Sequence, residues 1–318
     1  MSARVVVLAG GLSHERDVSL RSGRRVAEAL RSGGIEVSLA DVDAALLPSL
    51  AADRPSVVIP LLHGATGEDG ALRDVLAMLR LPYVGSGPDA CRVAFDKPAA
   101  KTAVSAAGLA TPASVVLPQT TFRELGAAAV MAALVDTLGL PLMVKPARGG
   151  SSLGAAVVRT ATELPAAMVG CFSYGDTALV EQFVAGTEVA VSVVETDGVL
   201  ALPLVEIVPD GGFYDYSARY TAGATEFFAP ARLSVDVAAA CASMAVTAHQ
   251  ALHLRDLSRT DLIIDQSGAP WFLEVNVAPG MTETSLFPQA AEAAGLDLGT
   301  LWRGLVDRAA GRNEHRRG

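Results

Sequence analysis

Apolar residues along this chain fall into short runs separated by glycine-bearing loops, and their spacing predicts alternating strands and helices. Residues 5–9 are continuously apolar and end at Gly10-Gly11, as a strand buried on both faces does. Val18, Leu20, Val26, Ala29 and Leu30 then recur at helical spacing, with Ser13 placed to cap the helix and Gly33-Gly34 placed to stop it. A second apolar run, residues 57–62, leads into His63-Gly64 and the loop Gly67-Glu68-Asp69-Gly70. This order predicts a mostly parallel sheet with ligands at the carboxyl ends of its strands, where His63 and the start of the Glu15 helix fall.

The pattern changes near Phe95-Asp96-Lys97-Pro98. A helix, a proline-bearing strand over residues 111–117 and an alanine-rich helix over 122–138 are expected next. Residues 142–146 and 155–158 read as a strand pair around a glycine-serine lid, and 178–184 as a further strand. From Glu188 onward the strands lengthen and take an antiparallel character. The expected fold is therefore α/β followed by α+β, in three parts: an N-terminal α/β part, residues 1–96, a central part, 97–185, and a C-terminal part, 186–310. The polar, basic tail 311–318 is expected to fray.

The densest polar pattern lies late in the chain. Arg259-Thr260-Asp261-Leu262-Ile263-Ile264 and Trp271-Phe272-Leu273-Glu274-Val275-Asn276 read as two strands joined by the turn formers of residues 265–270. Alternation places Glu274 and Asn276 on one face, and Leu273 and Val275 on the other. If residue 264 pairs with 271, then 261 faces 274 and 259 faces 276. Opposed carboxylates about 5 Å apart repel by roughly 3 kcal/mol at an effective dielectric of about 20, so something positive belongs between them. Oxygen donors from Asp261, Glu274 and Asn276 suit Mg²⁺. A solvated hairpin with a polar outer face is the alternative on pattern alone.

Composition narrows the field. With 318 residues, 51% of them apolar and 19% charged, the chain can build several cores of ordinary globular type. A net charge of −9 argues against nucleic acid or an anionic membrane surface as partner, so any anionic ligand must be held by local cations. Cys91, Cys171 and Cys241 are odd in number and scattered, which points to buried thiols rather than disulfides or zinc. No apolar run reaches about 18 residues and the N-terminus lacks a signal-like segment, so a cytoplasmic location is expected.

Arg148-Gly149-Gly150-Ser151-Ser152-Leu153-Gly154 follows a strand directly and can turn backbone N–H groups toward a phosphate, although it is neither a Walker A loop nor GxGxxG. Lys145 interrupts an apolar strand, where a lysine is costly unless paired, and Lys97 opens the same part of the chain.

Taken in order, Lys97, Lys145, the GGSSLG loop, Glu181, Glu188, Arg259-x-Asp261 and Glu274-x-Asn276 resemble an ATP-grasp enzyme. His14-Glu15-Arg16-Asp17-Val18-Ser19, Leu62-His63-Gly64, the Tyr214–Tyr220 stretch and Asn276-Val277-Ala278-Pro279-Gly280-Met281 narrow the resemblance to the D-alanine–D-alanine ligase family, over residues 4 to 308. The resemblance implies a three-domain ATP-grasp fold in which the central and C-terminal domains sandwich ATP. It implies that ATP phosphorylates one D-alanine and that the amine of a second displaces the phosphate, in peptidoglycan precursor synthesis. Lys97, Lys145 and the loop including Ser152 would hold phosphates. Glu181, the backbone of Gln182 and Val184, and the apolar Phe183, Ile263 and Leu273 would hold adenine, and Glu188 the ribose. Asp261, Glu274 and Asn276 would bind two Mg²⁺ ions, with Mn²⁺ as a substitute.

On the substrate side, the resemblance assigns the first ammonium to Glu15, linked to Ser151 and Tyr220, and the first carboxylate to His63. Arg259 and the Gly280 N–H would form the oxyanion hole, while Ser285 and Leu286 seat the second carboxylate. Arg259 otherwise reads as a cross-strand partner of Glu274. Arg219 stands where the family motif carries a lysine aimed at the γ-phosphate, which alters the contact from a point donor to a planar fork. Residues 211–220, rich in glycine and aromatics, read as a lid. A homodimer is implied by the family. The alternative activity is a ligase of the same chemistry with another acceptor, D-lactate or an antibiotic-pathway substrate.

Overall fold

The computed structural model describes residues 4–221 and 223–314. Its first sheet is parallel, with β1 (Arg4–Leu8) between β2 (Glu36–Ala40) and β3 (Val57–Pro60). All of β3 and β1 past its first residue are buried, which explains their unbroken apolar sequence. The Arg16–Ser32 helix covers this sheet with Ser19, Ser22, Gly23, Val26, Ala27 and Leu30, a stripe at helical spacing.

The second sheet is antiparallel and contains β4 (Ser114–Pro118), β5 (Leu142–Pro146), β6 (Ala156–Val158) and β7 (Thr177–Gln182) in the order β4-β7-β5-β6. Leu142, Val144 and Val180 meet Leu164, Met168 and Cys171 in a core of its own. The alanine-rich stretch expected as one helix is two, Gln119–Leu125 and Ala127–Leu138. Gly126 between them takes φ +86°, a conformation that ends the first helix and that other residues adopt at a cost.

The third sheet comprises β8 (Gly186–Glu195), β9 (Val199–Ala201), β10 (Val205–Pro209), β11 (Thr225–Phe228), β12 (Leu257–Asp265) and β13 (Pro270–Asn276). Its antiparallel order is β11-β10-β8-β12-β13, with β9 also paired to β8. Residues 259–276 form the expected hairpin with one correction. Asp261 faces Glu274 and Arg259 faces Asn276, but Ile264 pairs with Pro270 rather than Trp271. A bulge at Asp261/Leu262 sets Phe272 opposite Leu262 and leaves Leu273 as the extra residue. Strict alternation grouped Leu273 with Val275. The bulge instead sends Phe272 and Val275 into the core and turns Leu273 and Glu274 together toward a cleft.

Helices fasten these layers. Trp302, Leu305 and Val306 of the Leu298–Glu314 helix share a core with Val5, Val7 and Leu30 on one side and Val194 and Ile207 on the other. The Pro88–Phe95 and Lys97–Ala106 helices pack Cys91, Ala94, Ala100 and Val104 against Val189, Phe272 and Val275, so Lys97 is presented from a base seated on the large sheet. Asp96 caps that helix by accepting from Ala99 N–H at 3.0 Å. The last helix runs to Glu314, past the point where the sequence reads as tail, and residues 315–318 lie outside the described residues. The three cysteines are buried. Among the described residues no helix is long and apolar enough to cross a membrane.

Behind the cleft, the fully buried Asp256 accepts from Arg312 at 2.6 and 2.7 Å and from Gly85 N–H at 2.7 Å, tying the last helix, the first part of the chain and β12 together. Asp256→Asn keeps the shape and removes the charge. It is expected to lower the unfolding free energy by about 2 kcal/mol, read as a lower denaturant midpoint with an unchanged slope. An unchanged midpoint would contradict a tie of this kind.

Candidate active site

Two adjoining cavities, of about 390 and 520 Å³, lie in the cleft bounded by the four-stranded and six-stranded sheets. Lys97, Gly149, Gly150, Arg219 and Glu274 line both, so the two share a wall. The first cavity gathers Lys97, Lys145, Ser152, Glu181, Gln182, Phe183, Val184, Glu188, Arg219, Asp261, Ile263, Leu273 and Glu274. The second gathers Glu15, His63, Ser151, Arg259, Asn276, Gly280, Ser285 and Leu286. Every candidate residue but one is thus brought to this cleft. The side chain of Tyr220 lies outside the described residues.

The glycine-serine loop joins β5 to β6 and owes its shape to more than glycine. Gly149 and Gly154 have φ +129° and +72°, but Ser151 and Ser152 also sit in the left-handed region, at +54° and +55°. Such backbone costs about 1–2 kcal/mol per non-glycine residue, and strain of this kind is held at ligand clamps. Ser152 is fixed from both sides, donating to Tyr214 O at 3.0 Å and accepting from Arg219 Nε at 3.2 Å. The Arg219 guanidinium lies 4.2 Å from the centre of the Tyr214 ring, a stack that its planar fork makes better than an ammonium does.

Each lysine has an acid. Lys97 Nζ donates to Gly149 O at 2.6 Å and lies 3.3 Å from Glu274. Glu181 sits between Lys145 and Lys101, each at 2.5 Å. Burial alone would raise its carboxyl, but the two ammonium groups outweigh burial and hold it below the ordinary carboxylate range. Its carboxylate therefore meets two lysines rather than standing free for adenine. Lys101 was not singled out from sequence, although its place on the buried 97, 100, 101, 104 face of an alanine-rich helix was a usable signal. Gln182 is also committed, with its N–H on Ala113 O and its side chain on Leu138 O. The Gln182 N–H is thus already taken within the sheet. Burial, then Arg219 in opposition and Asp261 and Glu274 in support, leaves Glu188 lifted to about 7.

Arg259 corrects a second expectation. It grips Asp261, two residues along on the same strand face, with Nε and Nη2 at 2.7 and 2.8 Å, rather than Glu274 across the hairpin. Glu274 is half-buried yet ionised: desolvation raises its carboxyl, and Lys97, Lys145, Arg219 and Arg259 together pull it down to about 2. Asn276 Oδ1 accepts from Ala278 N–H at 2.7 Å, which fixes the amide. Two carboxylates and an amide oxygen form an all-oxygen donor set that fits Mg²⁺, and they leave coordination positions for phosphate and water. Among the described residues no group of three or more His, Cys, Asp and Glu gathers.

In the second cavity Glu15 Oε1 accepts from Ser151 Oγ at 2.6 Å. Ser13 does not cap the helix as expected. It accepts from Glu15 N–H at 3.2 Å, one turn early, and Glu15 itself precedes the first helical residue with its carboxylate drawn across to Ser151. His63 Nδ1 lies 3.0 Å from Ala278 O, a partner that can only accept, so Nδ1 carries the proton. Burial lowers the ring's pKa, and the neutral Nε2, which has no partner among the described residues, is left as a lone-pair acceptor. A lone pair suits an ammonium better than the carboxylate expected there.

Glu68, quoted from sequence only as part of a glycine loop, lines the same cavity and accepts from Gly64 N–H at 2.7 Å.

A nucleotide-sized cavity clamped by two antiparallel sheets, with lysines on one wall and paired carboxylates on the other, defines an ATP-grasp enzyme. A family model described as D-ala D-ala ligase C-terminus matches residues 103–307. A D-alanine–D-alanine ligase of Anaeromyxobacter dehalogenans (strain 2CP-C) is 43% identical over 309 residues, covering 96% of this chain and 97% of that one. The crystal structure of the Bacillus anthracis D-alanine–D-alanine ligase complexed with ATP matches with a TM-score of 0.81 at 25% identity, over 99% of this chain and 100% of that one. The VanG D-Ala:D-Ser ligase of Enterococcus faecalis gives a TM-score of 0.84 at 27% identity, over 97% and 100%. The chain belongs to the D-alanine–D-alanine ligase family.

Glu68 provides a pH test. Burial, reinforced by Glu15, raises its carboxyl from 4.5 to about 8. The folded chain then keeps a proton that the unfolded chain has released, so stability is lost as pH rises from about 4.5 to about 8. Glu68→Gln is expected to flatten that decline, measured by denaturant midpoints at about pH 5 and about pH 8. Equal pH slopes in the two proteins would contradict the assignment.

Proposed function

We propose that the protein is an ATP-dependent ligase that joins two D-alanines into D-alanyl-D-alanine for peptidoglycan precursor synthesis, releasing ADP and phosphate. The observation that carries this reading is the shared wall of the two cavities. Glu274, Lys97 and the glycine-serine loop stand between a nucleotide-sized space and a pocket holding Glu15, His63 and Arg259.

The triphosphate lies along Lys97, Lys145, Arg219 and the N–H groups of residues 149–154. Adenine fills the apolar end between Phe183, Ile263 and Leu273, with the Val184 backbone at its edge and Glu188 at the ribose. Glu181 aims Lys145. The central part, residues 97–185, and the C-terminal part, 186–310, close over the nucleotide. Asp261, Glu274 and Asn276 would hold two Mg²⁺ ions, with Mn²⁺ as a substitute, which would neutralise phosphate charge.

Glu15, oriented by Ser151, takes the first D-alanine's ammonium, and the His63 lone pair adds a second acceptor. That substrate's carboxylate oxygen then points at the γ-phosphorus. Attack forms an acyl phosphate and releases ADP. The second D-alanine, its carboxylate at Ser285 and the Leu286 N–H, attacks the acyl carbon through its neutral amine. The developing alkoxide meets Arg259 and the Gly280 N–H, and collapse of the tetrahedral species expels phosphate. Water exclusion under the 211–220 lid protects the acyl phosphate from hydrolysis. A homodimer and a cytoplasmic location complete this reading.

The test is ADP formation as a function of added amino acid, with the product identified by mass. D-alanine-dependent ADP release with the dipeptide as product is expected, and ADP release indifferent to any amino acid would overturn the reading. Arg259→Met is expected to lower kcat by about 10²–10³, the cost typical of one lost oxyanion donor, with a smaller change in the KM for ATP.

A further inference from the structure

Val18, Arg21, Ser22 and Arg25 of the Arg16–Ser32 helix fall at i, i+3, i+4 and i+7, on one continuous face. That face lies along residues 280–285. Ser22 Oγ accepts from Met281 N–H at 3.0 Å, and Arg25 Nη1 donates to Met281 O at 3.3 Å. Val18 Cγ1 lies 3.9 Å from the position a Cβ on Gly280 would take. The neighbours of Arg21 on this face are therefore anchored, and Arg21 lines the second cavity beside Thr282, Thr284 and Ser285. It is exposed, and among the described residues it makes no hydrogen bond or ion pair.

The wall beside it favours an anion. Ser285 precedes the eight-residue Leu286–Ala293 helix but does not cap it, because its hydroxyl is turned to Thr282 N–H at 3.0 Å and Thr282 Oγ1 at 2.7 Å. First-turn N–H groups lack partners within a helix and carry the positive end of its dipole. An unpaired guanidinium and an uncapped helix start thus share one end of the cavity, while Glu15 and Glu68 also line it.

We propose that Arg21 determines acceptor specificity by pairing with the carboxylate of the second amino acid, whose other oxygen takes the helix N–H groups. This rests on the ligase function above and adds to its acceptor site a charged partner that the Ser285 and Leu286 contacts lack. Because the guanidinium is exposed, the pairing weakens as salt rises.

Steady-state kinetics with D-alanine varied over its second site test this. Arg21→Gln is expected to raise the second-site KM about tenfold, to remove most of its salt dependence and to leave the KM for ATP unchanged. The wild-type preference for D-alanine over D-alaninamide as acceptor should shrink by about the same factor, and Arg21→Lys should recover part of it. Arg24→Gln makes the same change in charge at an exposed position off this face and is expected to change none of these. If Arg21→Gln keeps the second-site KM and the amide discrimination while still making dipeptide, the proposal falls and the ligase function stands. If the wild-type protein forms no ADP in response to D-alanine, the ligase function itself falls.

Discussion

The opposition of Asp261 and Glu274 across β12 and β13 is the constraint on which the cleft depends. Two such charges repel by roughly 3 kcal/mol at an effective dielectric of about 20, and burial makes each more costly. The surrounding chain answers with fixed cations. Arg259 grips Asp261 with two bonds, Lys97 approaches Glu274 from the Lys97–Ala106 helix, and Lys145 and Arg219 add their fields. Each cation comes from a different element, so the site is assembled only when the sheets and the Lys97 helix are packed. Without the six-stranded sheet beneath it, none of this charge pattern holds together.

The same cations give the cleft its second property. A lysine or arginine satisfied by a carboxylate across the cleft can exchange that partner for phosphate without leaving a buried charge unpaired. Lys101 keeps Glu181 compensated while Lys145 faces the cavity, and Ser152 remains pinned between Tyr214 and Arg219. The left-handed serines of the loop are held by these contacts, which is how backbone strain survives next to a flexible connection. The family's lysine position is filled by an arginine whose plane lies against Tyr214, so the departure comes with a partner suited to it.

Much of this was legible in the sequence, for identifiable reasons. The unbroken apolar strands and their glycine-bearing loops announced the parallel sheet, and pairing 264 with 271 placed Asp261 opposite Glu274, which the structure reaches through 264 against 270 and a bulge. What the sequence did not carry was local irregularity. No residue type marks the bulge that turns Leu273 to the same side as Glu274, so strict alternation assigned it to the wrong face. Gly126 was visible as a glycine but not as a helix break, since its φ depends on the packing of both helices. Long-range pairings were equally hidden. Arg259 had two acids within reach on pattern, and only the folded chain selects Asp261. Glu15 reads on pattern alone as a helix-start acid; only the family resemblance linked it to Ser151, 136 residues away, and the structure makes that bond.

The central claim is that the cleft exists to pass a phosphoryl group onto a carboxylate and then exchange it for an amine. Its most direct test is oxygen transfer. With D-alanine labelled by ¹⁸O in its carboxyl group, each turnover should move one labelled oxygen into inorganic phosphate, because acyl phosphate formation makes that oxygen the bridge that phosphate carries away. Phosphate released without label, alongside dipeptide formation, would contradict this account.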